Sequence, residues 1–220
     1  MKRFLSLFTV GFLLLMFSEQ PTEAQQGPGW QLAKDDGTIQ IFKREKKGRP
    51  VNEVTGKMEI PLPPWVLRNV INDVGNYKDF MPYTLKSKVL KTEGKTAYSY
   101  QFLELPFISN RDYVLSTTNS TSVGSDGQRT FTMEWDVANE LAPPLPDDTV
   151  RVDINRGHWI FSPQNKGKST LVSYYLYTYP GGNVPIWLAN RGNTTIIPKM
   201  FNIIAKQAQK KKYWKNPPKD

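Results

Sequence analysis

The chain has 220 residues, a formal net charge of +9, one histidine and no cysteine. Without cysteine there is no disulfide and no thiol chemistry, so stability has to come from an apolar core, and zinc sites built on cysteine or on several histidines are excluded. The positive charge suits an acidic partner. No helix-turn-helix, zinc-finger or RNA-binding signature accompanies it, so the expected partner is an anionic membrane surface, met transiently, and not nucleic acid.

Residues 1–24 read as a secretory signal. Met1-Lys2-Arg3 is a charged start, residues 4–17 are an apolar stretch, and Thr22-Glu23-Ala24 places small residues at cleavage spacing. As a helix the apolar stretch is about 21 Å long at ~1.5 Å per residue, short of the ~30 Å hydrocarbon thickness of a bilayer. The expectation is a bacterial-type exported protein, periplasmic or secreted, with residues 25–220 forming a single, monomeric domain.

In chain order, residues 39–44 and 52–60 read as strands around a basic turn. A proline-rich break at 61–64 precedes Trp65, Val66, Val70, Ile71 and Val74 at helical spacing, and residues 77–83 form a short helix or turn. Between residues 84 and 179, β-branched and aromatic runs alternate with turn clusters, which predicts six strands centred on 85–91, 97–105, 113–120, 130–137, 150–161 and 170–179. Such a meander makes a strongly curved antiparallel sheet with one apolar inner face. After Tyr179-Pro180-Gly181-Gly182 the period changes, and Ile186, Ala189, Ile197, Met200, Phe201, Ile204 and Ala208 fall near one face of a long helix at about 185–212. Pro198 cannot donate to the carbonyl of Thr194, and Gly192 weakens the same region, so a kink or break is expected there.

Several landmarks in this order resemble the START domain, the lipid-transfer module of the helix-grip fold. They are Gly29-Trp30 with Asp36-Gly37-Thr38-Ile39, Phe80-Met81-Pro82, Leu105-Pro106-Phe107 before Asn110-Arg111-Asp112, Gly157-His158-Trp159-Ile160-Phe161, and Tyr179-Pro180-Gly181-Gly182-Asn183-Val184-Pro185 running into the last helix. The resemblance implies an α+β fold in which a curved antiparallel sheet grips the C-terminal helix around a tunnel for one lipid or other hydrophobic molecule. It implies no cofactor. Polyketide cyclases share the superfamily, so an aromatase-like enzyme using the same cavity is the alternative.

Motifs for other chemistry are missing. His158 is the only histidine, there is no Gly-x-Ser-x-Gly elbow, and neither a P-loop nor Gly-x-Gly-x-x-Gly occurs. By analogy Arg111 points into the tunnel, either anchoring a ligand head group or pairing with Glu104 or Glu134 to tie two strands. Strand alternation sends Tyr100 and Phe102 to one face, and Tyr175 and Tyr177 to one face of another strand. With Glu134, Trp135, Trp159 and the helix residues Ile197, Met200, Phe201 and Ile204, these are the expected ligand contacts. The run Lys206, Lys210, Lys211, Lys212 with Trp214 is the expected membrane contact, or else a solvated basic tail.

Overall fold

A computed structural model describes residues 27–215 and 217; the expected signal at 1–24 lies outside the described residues. Ten strands and two α-helices make up the fold: β1 (Gln31–Asp35), β2 (Ile39–Arg44), β3 (Glu53–Ile60), α1 (Pro64–Asn72), β4 (Thr84–Glu93), β5 (Thr96–Leu103), β6 (Asn110–Val123), β7 (Arg129–Val137), β8 (Thr149–Arg151), β9 (Ile154–Gln164), β10 (Ser169–Tyr179) and α2 (Ile186–Gln207). They form one sheet in the order β1-β2-β3-β10-β9-β7-β6-β5-β4, with short β8 added parallel to β6. The last strand thus pairs with the first hairpin, and the sheet curves around α2. This is the helix-grip arrangement expected from the sequence.

Two strands exceed the expected eight. All five residues of β1 are exposed, so β1 carries no apolar alternation and is held by its backbone pairing with β2. The expected strand at 150–161 is two strands: Val152 leaves the sheet, its N–H donating to Asp112 O at 2.9 Å, and only from Ile154 does β9 begin. The sheet's two edges, β1 and β4, are mostly exposed and bulged, and β4 carries Lys86, Lys88 and Lys91, features that oppose pairing with another chain.

α1 begins at Pro64, where a missing N–H costs nothing, and buries Val66, Leu67, Val70 and Ile71. The turn into α2 uses Gly181 and Gly182 at φ +67° and +61°, a left-handed conformation that glycine adopts without penalty. α2 is continuous from Ile186 to Gln207 through both Gly192 and Pro198, so the break expected there does not occur. Just before the proline, Thr195 Oγ1 donates to Arg191 O at 2.9 Å and Thr194 Oγ1 to Asn190 O at 3.2 Å, side chains hydrogen-bonding back to the helix's own carbonyls.

The helix has two different environments. Its second half puts Ile197, Phe201 and Ile204 into the main core with Ile41, Val54 and the apolar face of α1. Its first half covers the cavity described below. Past α2, a 3-10 turn at Lys211–Trp214 folds back on α1, where Tyr213 Oη donates to Asp73 at 2.8 Å and Trp214 packs edge-on against Trp65 at 5.9 Å.

Candidate ligand-binding cavity

Between the inner face of the sheet and the first half of α2 lies a cavity of about 450 Å³. Its sheet wall is set by register. Leu103 of β5 pairs with Arg111 of β6, and Gln101 with Tyr113; Met133 of β7 pairs with Trp159 of β9, which pairs with Tyr174 of β10. All of these face the cavity. Trp135, Trp159 and Tyr174 form an aromatic wall, with Trp159 and Tyr174 rings 4.1 Å apart and Trp135 stacked on Tyr174 at 5.7 Å. Trp135 is fixed by donation from Nε1 to Asn155 Oδ1 at 3.0 Å. Opposite, Ser99, Gln101 and Thr117 supply a polar band. α2 closes the top with Leu188, Gly192, Ile196 and Met200, and the loop 104–109 and Tyr83 border the mouth.

Arg111 is 2% exposed and has no carboxylate partner among the described residues. Neither Glu104 nor Glu134 pairs with it, and its neighbour Asp112 points to the other face, where it is held by Arg151 at 2.8 Å. Instead the guanidinium donates to four backbone carbonyls: Nε to Pro180 O at 2.6 Å, Nη2 to Gly181 O at 3.2 Å, and Nη1 to Ser109 O and Asn110 O. The Pro180 and Gly181 carbonyls belong to the turn made by the two positive-φ glycines, so the Asn-Arg-Asp and Pro-Gly-Gly motifs meet at the guanidinium. Of five N–H donors, one on Nη2 has no partner among the described residues, and Arg111 is one of the residues lining the cavity. Burial pushes the Arg111 guanidinium below its ordinary value, yet the group stays charged.

Four of the expected ligand contacts line the cavity: Arg111, Trp135, Trp159 and Met200. The others do not. Tyr100, Phe102, Glu134, Tyr175 and Tyr177 lie on the outer face: Tyr100 Oη donates to Asp112 at 3.2 Å, Lys86 sits over the Phe102 ring, Glu134 is exposed, and Tyr175 Oη donates to Glu53 at 2.9 Å while Arg49 covers Tyr177. The aromatic rows on β5 and β10 were expected to mark the inside; the strand register puts their neighbours Gln101, Leu103, Tyr174 and Leu176 there instead. Ile197, Phe201 and Ile204 are fully buried in the core beneath the helix and do not reach the cavity.

No Asp, Glu or His is among the described residues lining the cavity. His158 stacks on Tyr175 at 5.1 Å on the outer face, and burial lowers its pKa. Burial pushes the Tyr77, Tyr113 and Tyr174 hydroxyls well above their ordinary value, so they stay protonated and act as donors and acceptors, not as bases. Among the described residues no cluster of three or more His, Asp or Glu side chains suits a metal ion, and no helix is long and apolar enough to cross a membrane.

The mouth carries exposed apolar residues. Phe107, held at φ +68° at the tip of the loop 104–109, is fully exposed, and Ile186, Trp187 and Leu188 project at the start of α2. Lys206, Lys210, Lys211, Lys212 and Trp214 are exposed at the other end of the helix, about 33 Å from the mouth at ~1.5 Å per residue. Lys212 is paired with Asp73 at 2.7 Å.

Several known proteins are similar to this chain in sequence or architecture. An uncharacterized protein of Pseudomonas aeruginosa is 28% identical over 162 residues, covering 73% of this chain and 77% of that one. The phosphatidylcholine transfer protein of Bos taurus is 24% identical over 195 residues, 87% of this chain and 90% of that one. The crystal structure of a STAR-related lipid transfer protein from Xanthomonas axonopodis superposes with a TM-score of 0.72 at 27% identity, covering 83% of this chain and 99% of that one. The family model described as polyketide cyclase/dehydrase and lipid transport matches residues 60–204, and the chain belongs to that family, in its START-like form.

Proposed function

We propose that the protein is an exported, non-enzymatic carrier that holds one lipid or similar hydrophobic molecule in its cavity and exchanges it at a membrane surface. The observation that carries this reading is a half-open, aromatic-walled cavity with no carboxylate or histidine among its described lining residues, bordered by exposed apolar side chains. A lipid leaves a bilayer slowly because each methylene costs about 0.8 kcal/mol to expose to water; a dry cavity held against the surface removes that barrier. Phe107 and Trp187 would enter the membrane, each adding about 2–3 kcal/mol of apolar burial. The first half of α2 would lift to admit the ligand. With α2 laid along the surface, Lys206, Lys210 and Lys211 at its far end would also meet it, and each lysine near an anionic surface adds about 1 kcal/mol of attraction. Export rests on residues 1–24.

Native mass spectrometry of the folded protein tests the reading. A lipid retained at one per chain supports it. An empty cavity together with turnover of a supplied polyketone supports the cyclase reading that the family description also names, and would displace the carrier.

A further inference from the structure

The inner face of the sheet changes character across the cavity. β7, β9 and β10 line it with Trp135, Trp159 and Tyr174, whereas β5 and β6 line it with Ser99, Gln101 and Thr117. Strand alternation turns these polar side chains inward. Tyr100, between Ser99 and Gln101, lies on the outer face and donates to Asp112 at 3.2 Å, and Thr117 shares the face of Tyr113 and Leu115.

Ser99, Gln101 and Thr117 are 2%, 7% and 6% exposed. Among the described residues nothing hydrogen-bonds to Ser99 Oγ, to Thr117 Oγ1 or to the amide nitrogen of Gln101, whose oxygen accepts from Tyr113 Oη at 3.3 Å. None of these three atoms is sealed off, as the partnerless Arg68 Nε, Asn119 Oδ1 and Gln128 Oε1 are. Each borders open space, and for side chains on this face that space is the cavity. A buried polar atom without a partner costs free energy, so these groups wait on water or a ligand. Gln101 and Ser99 stand about 7 Å apart along β5, and Thr117 lies diagonally across from Ser99 at ~7–8 Å. The open positions are thus spread along the wall and do not converge on one point, as they would around a single head group.

We propose that the cargo is a hydrophobic molecule bearing hydroxyl or keto groups along its length, not a hydrocarbon chain with one polar head, and that Ser99, Gln101 and Thr117 select it. This deepens the carrier reading and rests on it. The apolar side of such a ligand lies on Trp135, Trp159 and Tyr174. Its oxygens restore the hydrogen bonds of the water that it displaces, whereas a plain chain displaces the same water and leaves the three side chains bare.

Calorimetric titration of the delipidated protein with hexadecanoic acid and with aleuritic acid, the same chain carrying three hydroxyls, tests this. Against an apolar wall each added hydroxyl weakens binding by about tenfold or more. Here aleuritic acid should bind at one per chain and at least as tightly as hexadecanoic acid. Ser99→Ala and Thr117→Val remove hydroxyls that hold nothing in the fold, so both variants should melt like the unaltered protein. Each should weaken aleuritic acid by about fivefold, the contribution of one hydrogen bond, without weakening hexadecanoic acid. Aleuritic acid bound more weakly than hexadecanoic acid, or variants that move both acids alike, would mean a wall that is merely hydrated, and would overturn the proposal while leaving a carrier. Failure of both acids to bind overturns the carrier reading with it.

Discussion

Gly56 of β3 and Ile197 of α2 touch so closely that a methyl group added to the glycine would stand 2.6 Å from Ile197 Cγ2, with Phe201 Cε2 at 3.3 Å. The second half of the helix is seated on the sheet at the one position of β3 that has no side chain. Gly56→Ala is therefore expected to destabilise by about 1–3 kcal/mol through overpacking, lowering the melting temperature by ~2–4 °C for each kcal/mol. Gly192 has open space around it, so Gly192→Ala should stabilise by about 1 kcal/mol through helix propensity. Calorimetry of the two variants reads both signs.

Pro198 lies inside α2, where proline costs about 3 kcal/mol relative to alanine, and it does not line the cavity. Pro198→Ala should raise stability and slow ligand exchange between vesicles, because it stiffens the segment on which the cover turns. Unchanged exchange in a stabilised variant would place the opening motion elsewhere.

Glu53 is 2% exposed beneath Arg44, Arg49 and Tyr175. Burial raises its pKa, but hydrogen bonds from Tyr175 and Arg44 and the charges of Arg44 and Arg49 outweigh this and hold it below the ordinary value. A folded-state pKa below the unfolded one means stabilisation that is fully present above ~4.3 and is lost as pH falls through the lowered value. At pH 7, Glu53→Gln should cost about 3–5 kcal/mol, since it leaves the two arginines uncompensated. Urea titrations of both proteins should converge as the pH drops below about 4.

For membrane contact, Trp187→Ser and Phe107→Ser should each weaken vesicle binding at every lipid composition and salt concentration. Lys210→Glu with Lys211→Glu should weaken binding only to acidic vesicles, and the difference should vanish at high salt. Co-sedimentation across a salt series separates the two.

The order of elements was legible because each carried its own period: the single helix after a proline break, the strand-rich middle and the closing amphipathic helix. The cavity wall was only half legible. Alternation shows which residues of one strand share a face, but not which face is inside; that follows from register between strands. Placing Arg111 inside obliges its β5 partner Leu103 to be inside, and with it Gln101 and Ser99, so Tyr100 and Phe102 must face out. Trp159 does the same for Tyr174 against Tyr175. Large aromatic residues were misleading because cations on the outer face cover them: Arg44 over Trp30, Arg49 over Tyr177 and Lys86 over Phe102. Two of Arg111's four carbonyl partners, those of Pro180 and Gly181, sit 69 and 70 residues away in sequence, and no local pattern reveals them.

The two environments of α2 separate two time scales. Backbone amides after residue 197 are shielded by the main core and should exchange with solvent hydrogen only through global unfolding, whereas those of residues 190–196 should exchange through a local, cheaper excursion. Loading and release then proceed without risk to the remainder of the chain. A protein stapled by no disulfide gains from that separation, because it never has to loosen its core in order to empty its hold.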